Sequence, residues 1–399
     1  MANVMDMTQD FILPRIVHLT YSSNGGAGRA AADIVMAQSN IGLNADLKVV
    51  SASNVGGKPL EHPLVTSAAM FDRYIVAKSN KDLFTLTRSN IGVLDEVLKL
   101  PSETIINLHW LPGALSIRQL TEIGKKFSKV FWTLHDFRAV TGGCHYPGAC
   151  KGFQRECGQC PLVRKKFWGM TEASQTGILN AFDRGNLKLI CPSEGLREAV
   201  SKSRLGKSTS ISKIGLVGPV TGAPTEANEH RKKNGHSVFI FAAADASEHR
   251  KGLREALEWW RRAPREKGAE LWLAGKGSET FSNPSQNVFG FGQLAGNELA
   301  KKMEEASYLV FSSTEDNSPL VVHEAISNNL IVLCLDPRMS KWLRSDGVFC
   351  LNPRDVGWQD LGAFYLTSLE QSREGNSRFL DERGPLKVAR AYAELYSQP

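Results

Sequence analysis

Two acidic residues of this sequence, Asp316 and Glu324, are separated by seven residues at a predicted turn from a strand into a helix. The strand is predicted to end at Ser312, and Pro319, a residue type favoured in the first helical turn, marks the start of the helix. Backbone N–H groups at a helix start can hold a diphosphate or sugar hydroxyls. The same residue types also form ordinary helix caps. The local pattern therefore leaves a ligand site and a helix cap as alternatives.

Two adjacent cations, Arg250 and Lys251, follow a predicted strand over Val238–Ala243 and precede a predicted helix. Two positive charges can neutralise a departing diphosphate without a metal ion, because they stabilise the charge that develops in the transition state. A charged helix start is also common in proteins that bind no such ligand. The acidic segment lies later in the same half of the chain, and the two features together favour a diphosphate site.

A glycine-rich turn follows the first predicted strand and opens a helix. Gly25, Gly26 and Gly28 would let the backbone turn sharply and let a ligand approach closely, and Arg29 follows them in the helix. The spacing differs from the dinucleotide-binding pattern GxGxxG, and the P-loop pattern GxxxxGK[ST] is absent from the sequence. We expect Gly26 to contact the ligand and Gly25, Gly28 and Arg29 to line its cleft.

Two histidines, His109 and His135, end the predicted strands Thr104–His109 and Lys129–His135. In α/β proteins, ligand sites lie at the carboxyl ends of parallel strands. One histidine at such a position is more often structural, whereas two at successive strand ends favour a site. We expect both to line the cleft, with Asp136 as the partner that orients His135.

Four of the seven cysteines lie in a Cys-rich loop over residues 141–161, with the spacing Cys-x5-Cys-x6-Cys-x2-Cys. Four thiolates can close tetrahedrally around zinc, and the Cys-x2-Cys pair is the specific part of the pattern. Two disulfides or four free thiols are the alternatives. His145 is a spare ligand. The predicted ligands of a structural zinc ion are Cys144, Cys150, Cys157 and Cys160.

Short apolar strands alternate with amphipathic helical segments in both halves of the chain. This alternation predicts an α/β fold of two Rossmann-like lobes with parallel sheets and a cleft between them for ligands. The predicted lobes are residues 1–216 and 237–384, joined by a Gly- and Pro-rich linker at 217–236. Residues 385–399 are predicted to form a helix that packs back on the first lobe.

The acidic segment resembles the donor-site motif of the family 4 retaining glycosyltransferases, in which seven residues separate two acidic ones. In that family the first acidic residue binds hydroxyls of the donor sugar, and the second, here Glu324, binds the ribose. The first position is Asp316 here, where the family usually has Glu, or Glu315 takes this position with a slip of one residue, so either acidic residue is a candidate for the sugar contact. The resemblance implies that the intervening backbone holds sugar and phosphate, along Asn317, Ser318, Pro319 and Leu320.

The same resemblance implies roles for residues in both halves of the chain. Lys251 resembles the diphosphate-binding lysine of the family, and Arg250 supplies a second cation. His135 matches a histidine that contacts the donor sugar near the anomeric centre. The catalytic residues implied are His135, Asp316 and Lys251.

The stretch from Asn107 to Pro161 also resembles a subgroup of these enzymes that occurs in colanic-acid and other exopolysaccharide gene sets. The shared elements are similar to HW, TLHD, TGGCHY and CGQCP, in this order. The resemblance as a whole spans about residues 15–335. It implies the GT-B fold, a nucleotide-diphosphate sugar as donor, retention at the anomeric carbon and no catalytic metal. The implied acceptor is a carbohydrate or a lipid-linked glycan.

The composition is typical of a folded globular protein, with 42% hydrophobic and 22% charged residues. The net charge of +7 suits anionic partners such as nucleotide diphosphates or acidic lipid headgroups. The basic clusters are short and lack interleaved aromatic residues, which argues against nucleic acid as a partner. No apolar run reaches the ~18–20 residues that span a bilayer, and the N-terminus lacks a secretory core. We predict a cytoplasmic protein with peripheral membrane contact.

The function predicted from all these features is a hexosyltransferase of polysaccharide or glycoconjugate biosynthesis. Two alternatives stay open at this point. One is another GT-B chemistry, such as a nucleotide-sugar epimerase or phosphorylase, which would form product from the donor alone. The other is a non-catalytic, zinc-bearing binding protein, which would lack affinity for nucleotide diphosphates.

Overall fold

The computed structural model describes residues 13–23, 25–50, 53–55, 58–60, 70–78, 83–86, 96–112, 114–208, 214–216, 236–263, 266–353 and 364–398. The predicted linker over 217–236 lies outside the described residues, apart from its last residue.

The first lobe contains a parallel sheet, a short antiparallel hairpin and flanking helices. Its strands are β1 Ile16–Thr20, β2 Ala45–Val49, β3 Ser53–Val55, β4 Lys58–Leu60, β5 Ile105–Leu108, β6 Val130–Thr133, β7 Leu187–Cys191 and β8 Ile214–Leu216. Its α-helices are α1 Gly25–Asn40, α2 Ile117–Lys126, α3 Trp168–Arg184, α4 Glu194–Ser201 and α5 Arg204–Ser208. The described strands of the sheet are all parallel, in the order β2-β1-β5-β6-β7-β8, and β3 pairs with β4.

The second lobe repeats this architecture. Its strands are β9 Val238–Asp245, β10 Glu270–Lys276, β11 Val288–Gly290, β12 Tyr308–Phe311 and β13 Ile331–Cys334. Its α-helices are α6 Leu253–Arg262, α7 Gly296–Glu305, α8 Leu320–Ser327, α9 Pro337–Ser345 and α10 Phe364–Glu382. The sheet is parallel, in the order β11-β10-β9-β12-β13. The prediction of two parallel-sheet lobes is confirmed.

The strands form at short, mostly apolar runs of the sequence. Strand β1 is buried at every position, as are β5, β6, β12 and β13. Parallel strands covered by helices on both faces favour such near-continuous apolar runs. A few buried polar residues, such as His18 and Asn107, interrupt the runs, and the other polar residues of the cleft lie beyond the strand ends.

The last helix, α11 (Pro385–Ser397), packs on α1 of the first lobe. Its tyrosines Tyr392 and Tyr396 are fully buried in a cluster with Ile16, Ile34 and Phe131. Both hydroxyls reach strand residues of the first sheet, since Asn107 Nδ2 donates to Tyr396 at 2.7 Å and Thr133 lies 3.3 Å from Tyr392. The end of the chain therefore contributes to the core of the first lobe.

Contacts behind the cleft join the two lobes. The backbone N–H of Glu194, at the start of α4, donates to Asp346 at 2.5 Å. Arg383 donates to the carbonyl of Pro192 at 3.0 Å. Gly195 lies directly against the indole ring of Trp342, and a Cβ at this glycine would be 2.5 Å from the ring. These contacts fix the angle at which the lobes face each other.

Several elements differ from the sequence-based expectations. Helix α3 was not expected, because its buried face includes polar residues such as Thr171 and Gln175 and gives a weak apolar pattern. The apolar run Val348–Leu351 is typical of a strand, but it forms only an isolated bridge, between Leu333 and Leu351. The amphipathic stretch Ala69–Lys78 is typical of an α-helix, but its described part contains a π-helix at Phe71–Val76.

The glycine-rich turn yields a test of how α1 packs. A Cβ at Gly28 would lie 2.3 Å from the carbonyl oxygen of Ser22, whereas at Gly26 it would meet only Leu320 at 3.8 Å. We expect Gly28→Ala to lower the thermal midpoint, at a cost of about 1–3 kcal/mol for the forced backbone shift. Gly26→Ala is the matched control and should have little effect. Equal midpoints for the two variants in calorimetry would contradict this packing.

Candidate active site

The acidic and cationic segments of the second lobe lie side by side because β9 and β12 are neighbours in the sheet. Gly252, with a φ of +75°, lies so close to the carbonyl of Ser312 that a Cβ there would be 2.1 Å from it. Thr314 N donates to the carbonyl of Arg250 at 2.8 Å. The loop after β9 and the loop after β12 are therefore fastened together at the carboxyl edge.

Asp316 is the electrostatic centre of this edge. Lys251 Nζ donates to Asp316 Oδ2 at 2.7 Å, and Arg250 Nη1 lies 3.7 Å from the same oxygen. Burial alone would raise the pKa of Asp316, but the two cations hold the pKa of this carboxyl below its ordinary value. The site therefore contains a buried carboxylate with two cations directed at it.

The start of α8 is not capped by the polar residues that precede it. Pro319 occupies the cap position and makes no side-chain cap hydrogen bond. Asp316 bonds to Lys251, Asn317 Nδ2 donates to the carbonyl of His135 at 3.2 Å, and Ser318 Oγ lies 3.4 Å from His323. The ordinary helix-cap alternative therefore does not describe this segment.

The glycine-rich turn of the first lobe faces α8 of the second. Arg29 of α1 forms an ion pair with Glu324, and Gly26 lies opposite Leu320. Gly25 begins α1 with a φ of +77°. These contacts bring the two candidate ligand-binding helix starts to opposite sides of one cleft.

The Cys-rich loop of the first lobe also reaches the second lobe. Gly148 N donates to Glu315 Oε1 at 2.9 Å. The guanidinium of Arg250 lies over the ring of Tyr146, 4.0 Å from its centroid. Burial raises the pKa of Glu315, and the Gly148 amide opposes this shift. Glu315 therefore faces the first lobe, whereas Asp316 faces Lys251.

His135 and His109 lie together at the cleft end of the first sheet, as the strand ends predicted. His109 Nδ1 lies 3.0 Å from His135 Nε2. Burial lowers the pKa of His135 to about 4, and burial together with its histidine neighbours lowers the pKa of His109 well below its ordinary value. Both imidazoles are therefore neutral at neutral pH.

The prediction that Asp136 orients His135 is wrong. Asp136 Oδ2 accepts from Trp110 Nε1 at 2.9 Å and lies 2.5 Å from His145 Nδ1, while its Oδ1 accepts from Arg138 N at 2.7 Å. The chain turns after β6, so consecutive side chains diverge, and the ring partner of His135 is His109 instead. Both ring nitrogens of His145 are used in hydrogen bonds, Nδ1 with Asp136 and Nε2 with the Thr85 hydroxyl at 2.8 Å, so His145 is not a spare zinc ligand.

The four cysteines of the Cys-rich loop line one cavity, but the structure does not support a zinc site. In the described part of the chain, no group of three or more His, Cys, Asp or Glu residues is placed to hold a metal ion. All seven cysteines are free thiols. Burial raises the pKa of Cys144 and raises that of Cys157 to about 11, which keeps both as thiols. The residue types fit zinc, whereas their placement does not.

The comparisons with known proteins agree with this architecture. No protein-family model matches the sequence. The chain is similar to the putative colanic acid biosynthesis glycosyl transferase WcaC of Escherichia coli (strain K12), with 23% identity over 334 residues, which cover 78% of this chain and 80% of WcaC.

Two solved structures have a similar fold. WaaG, a glycosyltransferase involved in lipopolysaccharide biosynthesis, matches with a TM-score of 0.56 and 13% identity over 96% of this chain and 100% of that one. A trehalose-6-phosphate protein from E. coli, bound with UDP-2-fluoro glucose, matches with a TM-score of 0.61 and 12% identity over 97% of this chain and 100% of that one.

The chain is a GT-B glycosyltransferase. WaaG is similar to this chain in fold, and WcaC, which is described as a putative glycosyl transferase, is similar to it in sequence. No helix in the described residues is long and apolar enough to cross a membrane.

Three residues at this glycosyltransferase site were missed by sequence reasoning. His18 in β1 contacts His109 at 2.9 Å, Tyr146 stacks on Arg250, and Trp342 Nε1 donates to the carbonyl of Asn317 at 3.2 Å. His18 gave a usable signal, because it is a titratable residue inside a short, mostly apolar strand. Tyr146 depends on a contact between the lobes, and Trp342 on a contact between segments of the second lobe that are distant in the sequence, so no local pattern reveals either.

The thiols of the Cys-rich loop should differ in reactivity. Cys150 is half-buried, whereas Cys144, Cys157 and Cys160 are buried. We expect iodoacetamide at pH 7.5 to alkylate Cys150 first and the other three only on unfolding, since the thiolate is the reactive form. Peptide mass spectrometry measures the order. If all four cysteines were equally protected and a chelator removed this protection, the result would reveal a bound metal and contradict the free-thiol arrangement.

Proposed function

We propose that this glycosyltransferase moves a sugar, with retention at the anomeric carbon, from a nucleotide diphosphate to a hydroxyl acceptor in polysaccharide or glycoconjugate biosynthesis. The observation that carries the proposal is the convergence of Lys251 and Arg250 on Asp316, beside the start of α8 and opposite His135. Cations next to a free helix start suit a diphosphate. A carboxylate and a neutral imidazole suit sugar hydroxyls.

The donor would lie along α8. Lys251, Arg250 and the backbone N–H groups at the helix start would hold the diphosphate, and Glu324 would bind the ribose. Asp316 or Glu315 would bind sugar hydroxyls; Asp316 is favoured because it lies beside Lys251, which would hold the diphosphate, whereas Glu315 faces Gly148 of the first lobe. WcaC and WaaG are described as acting in colanic acid and lipopolysaccharide biosynthesis, and the E. coli trehalose-6-phosphate protein binds UDP-2-fluoro glucose. These relatives support the donor class and the pathway class.

The reaction proposed is attack by the acceptor on the face that the diphosphate leaves. The bond between the anomeric carbon and the phosphate oxygen breaks with its electron pair on the phosphate, and a bond to the acceptor oxygen forms. The acceptor proton passes to the leaving phosphate. Lys251 and Arg250 stabilise the negative charge that develops there, which is the electrostatic role that accelerates such transfers.

We propose that the first lobe also touches a membrane surface, as a lipid-linked acceptor would require. Four large apolar side chains, Met70, Phe71, Tyr74 and Leu83, are between 38% and 55% exposed. Arg164 donates to the carbonyl of Tyr74 at 3.0 Å, and Lys166 lies 4.9 Å from the ring of Phe167, which contacts Phe71. Exposed aromatic residues with cations beside them suit an anionic lipid surface.

Lys251→Met should reduce kcat by about 10²–10³, by analogy with the loss of one charge-stabilising donor. Lys341→Met, which alters an exposed lysine of the same lobe, is the matched control and should keep the wild-type rate. Release of nucleoside diphosphate from a panel of nucleotide sugars, with and without acceptor, measures the rate. Equal rates for both variants would contradict the role of Lys251.

The variant also leaves Asp316 with one cation, which lowers stability by itself. Lys251→Met combined with Asp316→Asn removes both charges and should recover the thermal midpoint without recovering kcat. A sugar epimer or sugar phosphate formed from donor alone would replace the transferase proposal with the epimerase or phosphorylase alternative.

Lys165→Glu with Lys166→Glu should weaken binding to vesicles that contain anionic lipid by at least about tenfold, since each cation near such a surface contributes ~1 kcal/mol. Arg261→Glu with Arg262→Glu, two exposed cations of the second lobe, is the matched control. Co-sedimentation with zwitterionic and with anionic vesicles measures binding. Equal losses for both double variants would place the contact elsewhere.

A further inference from the structure

Three histidines form a hydrogen-bonded chain from the core of the first lobe to the cleft, of which His18 and His109 are buried and His135 is partly exposed. His18 Nδ1 lies 2.9 Å from His109 Nε2, and His109 Nδ1 lies 3.0 Å from His135 Nε2. At the inner end, His18 Nε2 lies 3.0 Å from the carboxamide of Gln38 in α1. Both nitrogens of His18 and His109 are used inside the chain, and the Nδ1 of His135 is its outer end.

The three rings are neutral, and a neutral imidazole has one N–H donor and one lone pair. Burial lowers the pKa of His18 to about 4, like that of His135. The direction of one hydrogen bond therefore fixes all the others. If Gln38 donates to His18, each ring donates from Nδ1, and His135 presents an N–H to the cleft. If Gln38 accepts, every ring reverses, and His135 presents a lone pair.

The partners of Gln38 decide between the two directions. When its Oε1 faces His18, its Nε2 is buried with no hydrogen-bond partner in the described residues. The carboxamide also lies beside the Tyr396 hydroxyl, close enough to lower the pKa of that hydroxyl against the effect of burial. Turning the amide by 180° gives the Nε2 an acceptor in His18 and gives the Oε1 a donor in Tyr396. Amide orientation is assigned by such satisfaction of partners.

With Asn107 in its assigned orientation, the Tyr396 hydroxyl is left with its proton to donate. Asn107 Nδ2 donates to the Tyr396 oxygen at 2.7 Å, and Asn107 Oδ1 is occupied because it accepts from Thr133 Oγ1 at 2.9 Å. The proton of Tyr396 therefore needs an acceptor other than Asn107. The amide oxygen of Gln38 provides it.

We propose that Tyr396, Gln38, His18 and His109 are positioning residues that hold His135 as the neutral Nδ1–H tautomer, with a fixed hydrogen-bond donor facing the sugar. This inference rests on the proposed function for its substrate but not for its structural content. A donor N–H at that place can bind a sugar oxygen and cannot accept a proton. His135 would then orient the sugar, and the leaving phosphate would be the base.

The tautomer can be read directly by ¹⁵N NMR of labelled imidazoles, since protonated and unprotonated ring nitrogens have distinct shifts. His135→Gln identifies the resonances of His135. We expect Nδ1 of His135 to be protonated and Nε2 unprotonated in the wild type. Tyr396→Phe removes the hydroxyl that orients Gln38 and should produce a mixture of the two tautomers.

Tyr392→Phe is the matched control, because this neighbouring buried tyrosine of α11 bonds to Thr133 and not to Gln38. Its spectrum should retain the wild-type tautomer. This comparison separates the effect of lost packing from the effect of a lost preferred direction in the hydrogen-bond chain. A wild-type His135 protonated at Nε2, or a Tyr396→Phe spectrum identical to the wild type, would overturn the proposal. The spectra need no substrate, so a failed transferase assay and a failed tautomer assignment are separate outcomes.

Discussion

The buried charge of Asp316 is the constraint on which the rest of the cleft depends. An uncompensated carboxylate in such surroundings costs several kcal/mol, so Lys251 and Arg250 must be held against it. The two cations lie next to Asp316 because β9 and β12 are neighbouring parallel strands whose carboxyl ends share one edge of the sheet. In the proposed function the same cations hold the diphosphate, so the interaction that stabilises Asp316 would also prepare the site for the donor.

The first lobe completes this arrangement from the opposite side. Arg29 pairs with Glu324, Gly148 donates to Glu315, and the carbonyl of His135 accepts from Asn317. The C-terminal helix also contributes, because its Tyr396 lies in the core of the first lobe, beside the histidine chain that ends in the cleft. The candidate site is thus assembled by segments that are far apart in the sequence.

Sequence reasoning predicted the features that follow from local periodicity. The strand ends at His109, His135 and Ser312 are near those expected, because buried parallel strands are short apolar runs bounded by polar residues. The direction in which each side chain points was harder to predict. Asp136 follows His135 in sequence yet bonds to His145, since a turn separates adjacent side chains. The cysteine spacing indicated ligand types for zinc, but spacing does not determine whether four sulfurs converge.

The most direct test of the central claim is a crystal structure of the protein with a hydrolysis-resistant nucleotide sugar. The account predicts that the diphosphate contacts Lys251, Arg250 and the start of α8, with the ribose at Glu324 and the sugar between Asp316 and His135. A nucleotide bound outside the cleft, or one that leaves the Lys251–Asp316 pair without contact to phosphate, would contradict it.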